Sequence, residues 1–584
     1  MERFLIVLFL YYYFCYFYHL FKTMKFFLFL LLPLSVFCQI DYPTDFISPL
    51  PIALDVSGSF GELRSNHFHS GIDLKTNGKE GLDVYAVSDG YISRIKISSF
   101  GYGKAIYITH PNGFTTVYGH LQKANGAIEA YIKQKQYAQK SFEVELFPMP
   151  SELSVKKGEV IAFSGNSGGS GAPHLHFEFR DTKSEKIINP LYFGFNKLAN
   201  DTRKPEIQGV MVYPIDSTLV NKSQNPIAVS FNKTADGNYL ASKVIANGKI
   251  GFGINAFDYC TNQYNKNGLF KVKAYLNGVS YYEYELETFA FDESRFVNSL
   301  IDYQRFGKLR QRVQKLFQEI PFPLSIVKAN KTNGIIHVQP NVTYTYRVEL
   351  YDFHGNKVQL TIPVEYGNQE TVFKKDVKKT KYFLKSKNEY NYTKDNVSVY
   401  IPENTFYEDF YMDFDVKDGV LNLHDESVPG YKNMTITFSD VQGLTEEQLS
   451  KTFIATIDGY KLDYNKTYRK GNTFKLYTRN LGKYKLSQDY DAPRIYNVNF
   501  VEGKNLKNQS TISVYIADNL SGIDTYNAYL NGEWILMEYD YKTKKLIHRL
   551  DDNKYKEGRN DLKIIVTDDM KNSTTFESYF FMNN

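Results

Sequence analysis

The run HLHFEFR, from His174 to Arg180, alternates polar and apolar residues without a break. In an extended chain, residues two apart share a face. His174, His176, Glu178 and Arg180 therefore lie on one side, and Leu175, Phe177 and Phe179 on the other. Such a strand belongs in a β layer that buries one face and gives the other to water or to chemistry. Taken alone, the run is read equally well as the wet face of a half-exposed sheet or as the start of a site.

Composition sets the scale of that layer. The chain has 584 residues, 43% of them hydrophobic, enough for several cores, and this length suggests roughly three to five domains. A net charge of only +5 gives no reason to invoke nucleic acid. With 48 Tyr and 44 Phe against one Trp, the chain is rich in residues that favour pleated, half-buried surfaces. The expectation is a mainly β protein.

The first 38 residues differ from the rest. From Met24 the sequence reads MKFFLFLLLPLSVFCQ, with Lys25, an apolar stretch, and Val36 and Cys38 before Gln39, the layout of a secretory signal peptide. Met24 is taken as the true start, since residues 1–23 add a second apolar, Tyr-rich run. The competing reading is an uncleaved anchor, for which Phe4 to Phe21 is barely long enough. Ser35-Val36-Phe37 before Cys38 is a poor match to a lipoprotein acylation site. Cleavage after Cys38 would leave Cys260 as the one thiol, so no intrachain disulfide is expected. The chain is read as exported to the periplasm or cell envelope, secreted or membrane-anchored.

Six of the eleven histidines (His67, His69, His110, His120, His174, His176) fall between Ile40 and Asn200. GLDVYAVSDGYISRI and VKKGEVIAFSG in this stretch read as short strands broken by Gly turns, the rhythm of a barrel-sandwich fold. AIYITHPNGFTTVYGHL predicts a hairpin turning at Asn112-Gly113, and a helix is predicted from about Asn125 to Gln139. Beyond Asn200 a faint repeat appears. KVKAYLNG (271–278) recurs as YNAYLNG (526–532), INAFD (254–258) as VYIAD (514–518), and ELYDFHGN (349–356) as IVTDDMKN (565–572). Repeated strand–turn units of this size suggest immunoglobulin-like sandwiches. One amphipathic helix is predicted there, with Leu309, Val313, Leu316 and Ile320 as its stripe and Pro321 as its stop. His337, His354, His424 and His548 have no partners at ligand spacing and read as structural or solvated.

NHFHSGIDLKT adds a His-x-x-x-Asp pair, His69 and Asp73, to the His-x-His of the opening run. Imidazole nitrogen and carboxylate oxygen suit zinc, and three protein ligands with an open position define a catalytic site. Spacing alone leaves His174 and His176 equal as the third ligand, since both point the same way.

HSGIDL, GYGKAIYITHPNGFTTVYGHL and VKKGEVIAFSGNSGGSGAPHLHFEFR occur in the order and form of the lysostaphin/LytM-like M23 metallopeptidases, which residues 55–195 resemble. The resemblance implies that His69, Asp73 and His176 bind one Zn²⁺ and that His120 and His174 are catalytic, without saying which is the general base. It also implies hydrolysis of the peptide cross-links or stem peptides of peptidoglycan. His67 has no role in that pattern and is read as supporting or surface; His110 is read as structural.

The expected fold class is thus mainly β, an M23-type antiparallel, barrel-sandwich-like peptidase domain followed by several immunoglobulin-like sandwiches. The expected divisions are 1–38, an extension and signal peptide; 40–200, the peptidase; 201–371, an immunoglobulin-like region with the helix; 372–488, all-β; and 489–584, a last sandwich. FKKDVKKTK (373–381) reads as a linker. The C-terminal β domains are expected to meet an envelope protein or polymer; nothing in the sequence sets the oligomeric state. Three rival readings are a non-catalytic scaffold or activator of another wall hydrolase, a biotinyl- or lipoyl-like carrier, and an adhesin. The first is disfavoured because all three ligands and both catalytic histidines are kept, the second because no lysine sits at a suitable tight turn. The third is compatible with catalysis.

Overall fold

HLHFEFRD folds as the strand His174–Asp181 in the middle of an antiparallel sheet. This computed structural model describes residues 41–199, 201–261, 264–320 and 322–583; the leader expected over 1–38 and the stop expected at Pro321 lie outside them. Among the described residues no helix is long and apolar enough to cross a membrane.

The sheet runs Val56–Gly58, Ile72–Lys75, His174–Asp181, Phe114–Gly119, Lys104–Thr109, Gly90–Ile97, Val144–Leu146. Its central strand buries Leu175, Phe177 and Phe179 completely. Phe179 stacks on Phe193 with ring centres 3.9 Å apart, and Phe177 on Phe195 at 5.2 Å. The polar face is not wet: Glu178 is 0% and Arg180 4% exposed. A strand with neighbours on both edges loses its solvent on both faces once Tyr107 and Phe291 cover Arg180. The expected hairpin is Lys104–Thr109 with Phe114–Gly119, and the expected helix is Gly126–Gln139.

Beyond residue 200 the chain is again mainly β. Residues 206–366 build a five-stranded and an eight-stranded sheet. Two five-stranded sheets follow over 390–488, closing on Val397, Met434, Ile436 and Phe474. Two four-stranded sheets over 494–582 close on Ile512, Val514, Ile564 and Phe580.

The N-terminal sheet does not stop at residue 200. Ile187–Ile188 pairs with Thr288–Phe289, and Phe289 packs on Phe60 and Phe68 with ring centres 5.1 and 5.4 Å away. At the far end the last sandwich meets the helix Gly126–Gln139. There Lys133 pairs with Asp552 at 2.5 Å and Tyr137 donates to its other oxygen at 2.8 Å.

The amphipathic helix expected through Leu309, Val313, Leu316 and Ile320 is a correction. The helix is only Tyr303–Leu309, Arg310 turns left-handed at φ 56°, and Leu309 is exposed. Val313 and Leu316 are buried instead around a short strand, Gln314–Lys315, on the edge of Lys249–Phe257. Gly251 and Gly253 on that neighbour leave bare backbone, where a methyl group would fall 2.3 Å from Phe317 and 2.8 Å from Val313. The apolar spacing served an edge strand packed over glycines, and burial there overrides helix propensity.

Candidate active site

Register decides which side chains meet. His176 lies opposite Asp73 on one neighbouring strand and opposite Gly119 on the other. Opposed residues in an antiparallel pair project to the same face, so the His176 ring and the Asp73 carboxylate share a row. A side chain at Gly119 would crowd this row, since its Cβ would lie 3.3 Å from that of His176. His69 enters from the preceding loop, tied by backbone bonds to Glu62 and Gly61.

Three donor atoms converge. His69 Nε2 lies 3.0 Å from Asp73 Oδ1 and 3.1 Å from His176 Nδ1, and His176 Nδ1 lies 2.9 Å from Asp73 Oδ1. All three residues are buried. The outer nitrogens are committed elsewhere: His69 Nδ1 donates to the Ser59 carbonyl at 2.8 Å, and His176 Nε2 to Glu178 Oε1 at 2.8 Å. Those bonds assign the protons to the outside of each ring and turn both inner lone pairs toward a carboxylate oxygen. Two imidazole lone pairs and one anion facing each other suit a zinc ion, and imidazoles oriented through their second nitrogen are how such ligands are held.

His120 and His174 stand beside this cluster, with ring centres 4.8 Å apart. His120 Nδ1 donates to the Ser167 carbonyl at 2.9 Å and His174 Nδ1 to the Ala172 carbonyl at 2.8 Å. One Gly-rich loop thus orients both rings and leaves each Nε2 for the site. His174 Nε2 is 3.4 Å from Asp73 Oδ1. His120 holds a left-handed φ of 58°, a conformation that costs a non-glycine residue some backbone energy. Burial, followed by the neighbouring His176 and His174, pushes its pKa down to about 3. His120 is therefore neutral near neutral pH.

Five supporting residues have no assigned role in the sequence reading. Glu178 receives His176, Tyr102 at 2.5 Å and Ser70 at 2.7 Å on Oε1, and Arg180 on Oε2 at 2.6 Å. Burial opposes its charge, but Arg180 and His176 outweigh burial and hold the carboxyl well below its ordinary value. Tyr102 also stacks on the His176 ring, centres 4.9 Å apart. Arg64 binds the other oxygen of Asp73 at 2.5 Å, which leaves Oδ1 for the cluster. Alternation does place Glu178 and Arg180 on the His176 face; Arg64 and Tyr102 arrive through tertiary folding and leave no local signal.

His67 is exposed, its Nδ1 on the Ser65 carbonyl. His110 is buried, bonded to the Asp89 carbonyl and to Thr116 Oγ1, both at 2.8 Å.

Residues 67–142 match the sequence model of Peptidase family M23. This part of the chain is an M23 peptidase-family domain. Residues 381–489 match a Zu5-like domain. An uncharacterized metalloprotease of Haemophilus influenzae is 32% identical over 123 residues, 21% of this chain and 20% of that protein. The DD-carboxypeptidase/endopeptidase Mpg of Neisseria meningitidis is 34% identical over 139 residues, 23% of this chain and 26% of that protein. The match therefore spans about a quarter or less of these relatives' length. The catalytic domain of lysostaphin from Staphylococcus simulans is 26% identical, with 24% of this chain and 91% of that domain covered at a TM-score of 0.18.

Proposed function

We propose that the chain is an exported zinc endopeptidase that hydrolyses peptide cross-links or stem peptides of peptidoglycan. His69, Asp73 and His176 would hold the ion, and His120 and His174 are the catalytic pair. The observation that carries this reading is the meeting of His69 Nε2, Asp73 Oδ1 and His176 Nδ1, with the outer nitrogen of each ring already bonded to a protein oxygen. The substrate class follows from the family resemblance and from the relative named a DD-carboxypeptidase/endopeptidase.

The chemistry a bound zinc ion supplies there is Lewis acidity toward the scissile carbonyl and the attacking water. The protein's own part is proton handling. With its Nδ1 proton fixed on the Ser167 carbonyl, His120 offers a neutral Nε2 lone pair. His174, fixed on the Ala172 carbonyl, offers its Nε2 from the side of Asp73. One imidazole accepts a proton from the attacking water; the pair then steadies the oxyanion or passes the proton to the leaving amine. Residues 201–371, 372–488 and 489–584 are proposed as further β units that localise the 40–200 peptidase at its polymer.

The test is digestion of purified peptidoglycan by the zinc-loaded full chain, with mass spectrometry of the new termini. New peptide termini that disappear on chelation are expected. A metal-loaded chain that makes none, yet stimulates a second wall hydrolase, would instead establish the activator reading.

A further inference from the structure

Among the described residues outside the peptidase site, buried and half-buried carboxylates gather at two places, which correspond in two β units that share a sequence repeat. In the first copy the strand Glu206–Pro214 pairs with Lys249–Phe257, which Asp258 follows; in the second Arg494–Tyr496 pairs with Thr511–Ala517, which Asp518 follows. Asp352 follows the strand Thr343–Tyr351 and Asp568 ends the strand Gly558–Asp568, each opening an Asp-x-x-x-Asn turn. A third match lies where the chain enters each sandwich. DTRKPEI (201–207) and DYDAPRI (489–495) share the pattern D-x-x-x-P-x-I, which pairs Asp201 with Asp489.

Three bonds recur in both, although Thr261 Oγ1 also donates to Asp201 at 2.7 Å where the Ser521 hydroxyl makes no bond among the described residues. Asn356 N donates to Asp352 Oδ1 at 2.8 Å, and Asn572 N to Asp568 Oδ1 at 2.7 Å. Asn356 Nδ2 reaches the Asp201 carbonyl at 3.2 Å, and Asn572 Nδ2 the Asp489 carbonyl at 3.1 Å. Thr261 N donates to the Asp201 carboxylate at 2.8 Å, and Ser521 N to that of Asp489 at 3.0 Å. In the second copy, ligand oxygens of Asp489, Asp518 and Asp568 all lie within 4.8 Å of one another. In the first, Asp201 stands within that distance of Asp258 and Cys260, and also of Asp352 and His354. Leu520 and Met570 occupy the positions of Cys260 and His354 in the second copy. What the copies share is carboxylate oxygen alone.

A further observation says that these oxygens are made for something. Asp258 is only 6% exposed, and its Oδ1 has no hydrogen-bond partner among the described residues. Asn267, 1% exposed and lining the same pocket, likewise leaves its Oδ1 unpaired. In the second copy Asp518 Oδ1 and the hydroxyl of Ser521, a residue 3% exposed, are unpaired. Buried polar atoms without a partner are costly and uncommon in native folds, more so when like charges adjoin them. Hard carboxylate, carbonyl and hydroxyl oxygens in this number are the donors that Ca²⁺ takes.

We propose that each of the two sandwiches binds one divalent cation of the Ca²⁺ type, on Asp201, Asp258 and Asp352 in the first and on Asp489, Asp518 and Asp568 in the second. Each ion fastens the segment entering a sandwich to the ends of two of its strands. At residue 489 that segment is the junction with the preceding β unit, so the second ion fixes how the last sandwich is carried.

The experiment uses the full, zinc-loaded chain, freed of other divalent ions and titrated with CaCl₂ by calorimetry, with thermal unfolding run alongside. Two Ca²⁺ per chain are expected, with affinity no weaker than the roughly 10⁻⁴–10⁻³ M of extracellular modules, and a rise in the unfolding midpoint. Asp258→Asn and Asp518→Asn should each remove one equivalent, and the double variant both, while His69→Ala keeps both. Terbium luminescence of the unaltered chain, displaced by Ca²⁺, gives a reading independent of whether the variants fold. No calcium heat, no midpoint shift and no terbium signal would overturn the proposal. So would two equivalents that persist in the folded double variant.

Discussion

Glu178 Oε1 accepts a hydrogen bond from His176 Nε2 at 2.8 Å from a position with no solvent exposure, and Arg180 closes its other oxygen at 2.6 Å. The bond fixes which His176 nitrogen faces Asp73. Glu178→Gln keeps the shape and removes the charge, so the ring is held less firmly and buried Arg180 keeps only the exposed Glu185, 3.3 Å away, as an anion. Outer partners of this kind are commonly worth about 10- to 100-fold in metal affinity, and breaking a buried ion pair about 3–5 kcal/mol. Chelator competition on the folded variant checks the first figure; unchanged zinc affinity would show that Glu178 serves the fold alone.

Ligand and catalytic roles separate by metal content. His69→Ala should lose the ion, since its Nε2 stands 3.0 Å from Asp73 Oδ1 and 3.1 Å from His176 Nδ1. His120→Ala and His174→Ala should keep near one equivalent of zinc and lose about 10²- to 10⁴-fold in peptide hydrolysis. Elemental analysis beside a cleavage assay reads both. If His174→Ala loses zinc while His176→Ala keeps it, the two roles are exchanged.

The alternation of HLHFEFR was enough to read a strand and to place Glu178 and Arg180 beside His176. It could not show that this face would be sealed, because Tyr107 and Phe291 come from distant parts of the chain. Spacing likewise could not rank His174 against His176. That ranking depends on register: His176 lies opposite Asp73 and His174 opposite Lys75. Arg64 and the strand Thr288–Phe289 were illegible for the same reason. The false helix at 309–320 arose because two glycines on a neighbouring strand, invisible to local periodicity, made room for Val313 and Phe317.

The Gly-rich loop fits against the turn at Tyr102 through two glycines. Gly103 and Gly168 both have positive φ, 64° and 65°. A methyl on Gly168 would sit 2.3 Å from Gly103 N and 2.5 Å from the Gly101 carbonyl, with only backbone to yield. Ser167, next to it, carries the carbonyl that orients His120. Gly168→Ala should therefore cost about 1–2 kcal/mol from the left-handed backbone alone, and lower kcat with zinc retained. A variant with unchanged melting and kcat would show that the loop is free to shift.

Burial holds the His110 ring below its ordinary pKa, although its Nδ1 bond to the Asp89 carbonyl works the other way. The folded chain keeps it neutral while the unfolded chain takes up a proton near its ordinary value of about 6.5. Protonation therefore favours unfolding. The stability tied to this neutral ring is present above about pH 6.5 and is lost as pH falls toward the lower folded-state value. Melting midpoints recorded from pH 8 to pH 5 should fall less steeply for His110→Gln than for the parent chain. Parallel slopes would show that other groups carry the whole acid response.

The last sandwich touches the loop that positions His120 and His174, the proposed catalytic pair. Lys542 Nζ binds the Ser170 carbonyl at 3.0 Å and the Asn166 carbonyl beside it, while Ser167 and Ala172 of the same loop hold His120 and His174. Glu538 pairs with Lys104 at 2.6 Å, and Phe100 packs on Tyr541 with ring centres 4.5 Å apart, so the contact is fixed at more than one point. Lys542→Ala should leave the sandwich docked through those other contacts and free the loop on one side. Since small misplacements of catalytic groups are costly, a loss of about 3- to 10-fold in kcat is expected, with KM and zinc content unchanged. The assay is hydrolysis of a soluble cross-linked muropeptide, where tethering to an insoluble wall cannot contribute. A loss seen only on intact sacculi would place Lys542 in polymer binding, and no loss on either substrate would show that the loop needs no support from the sandwich.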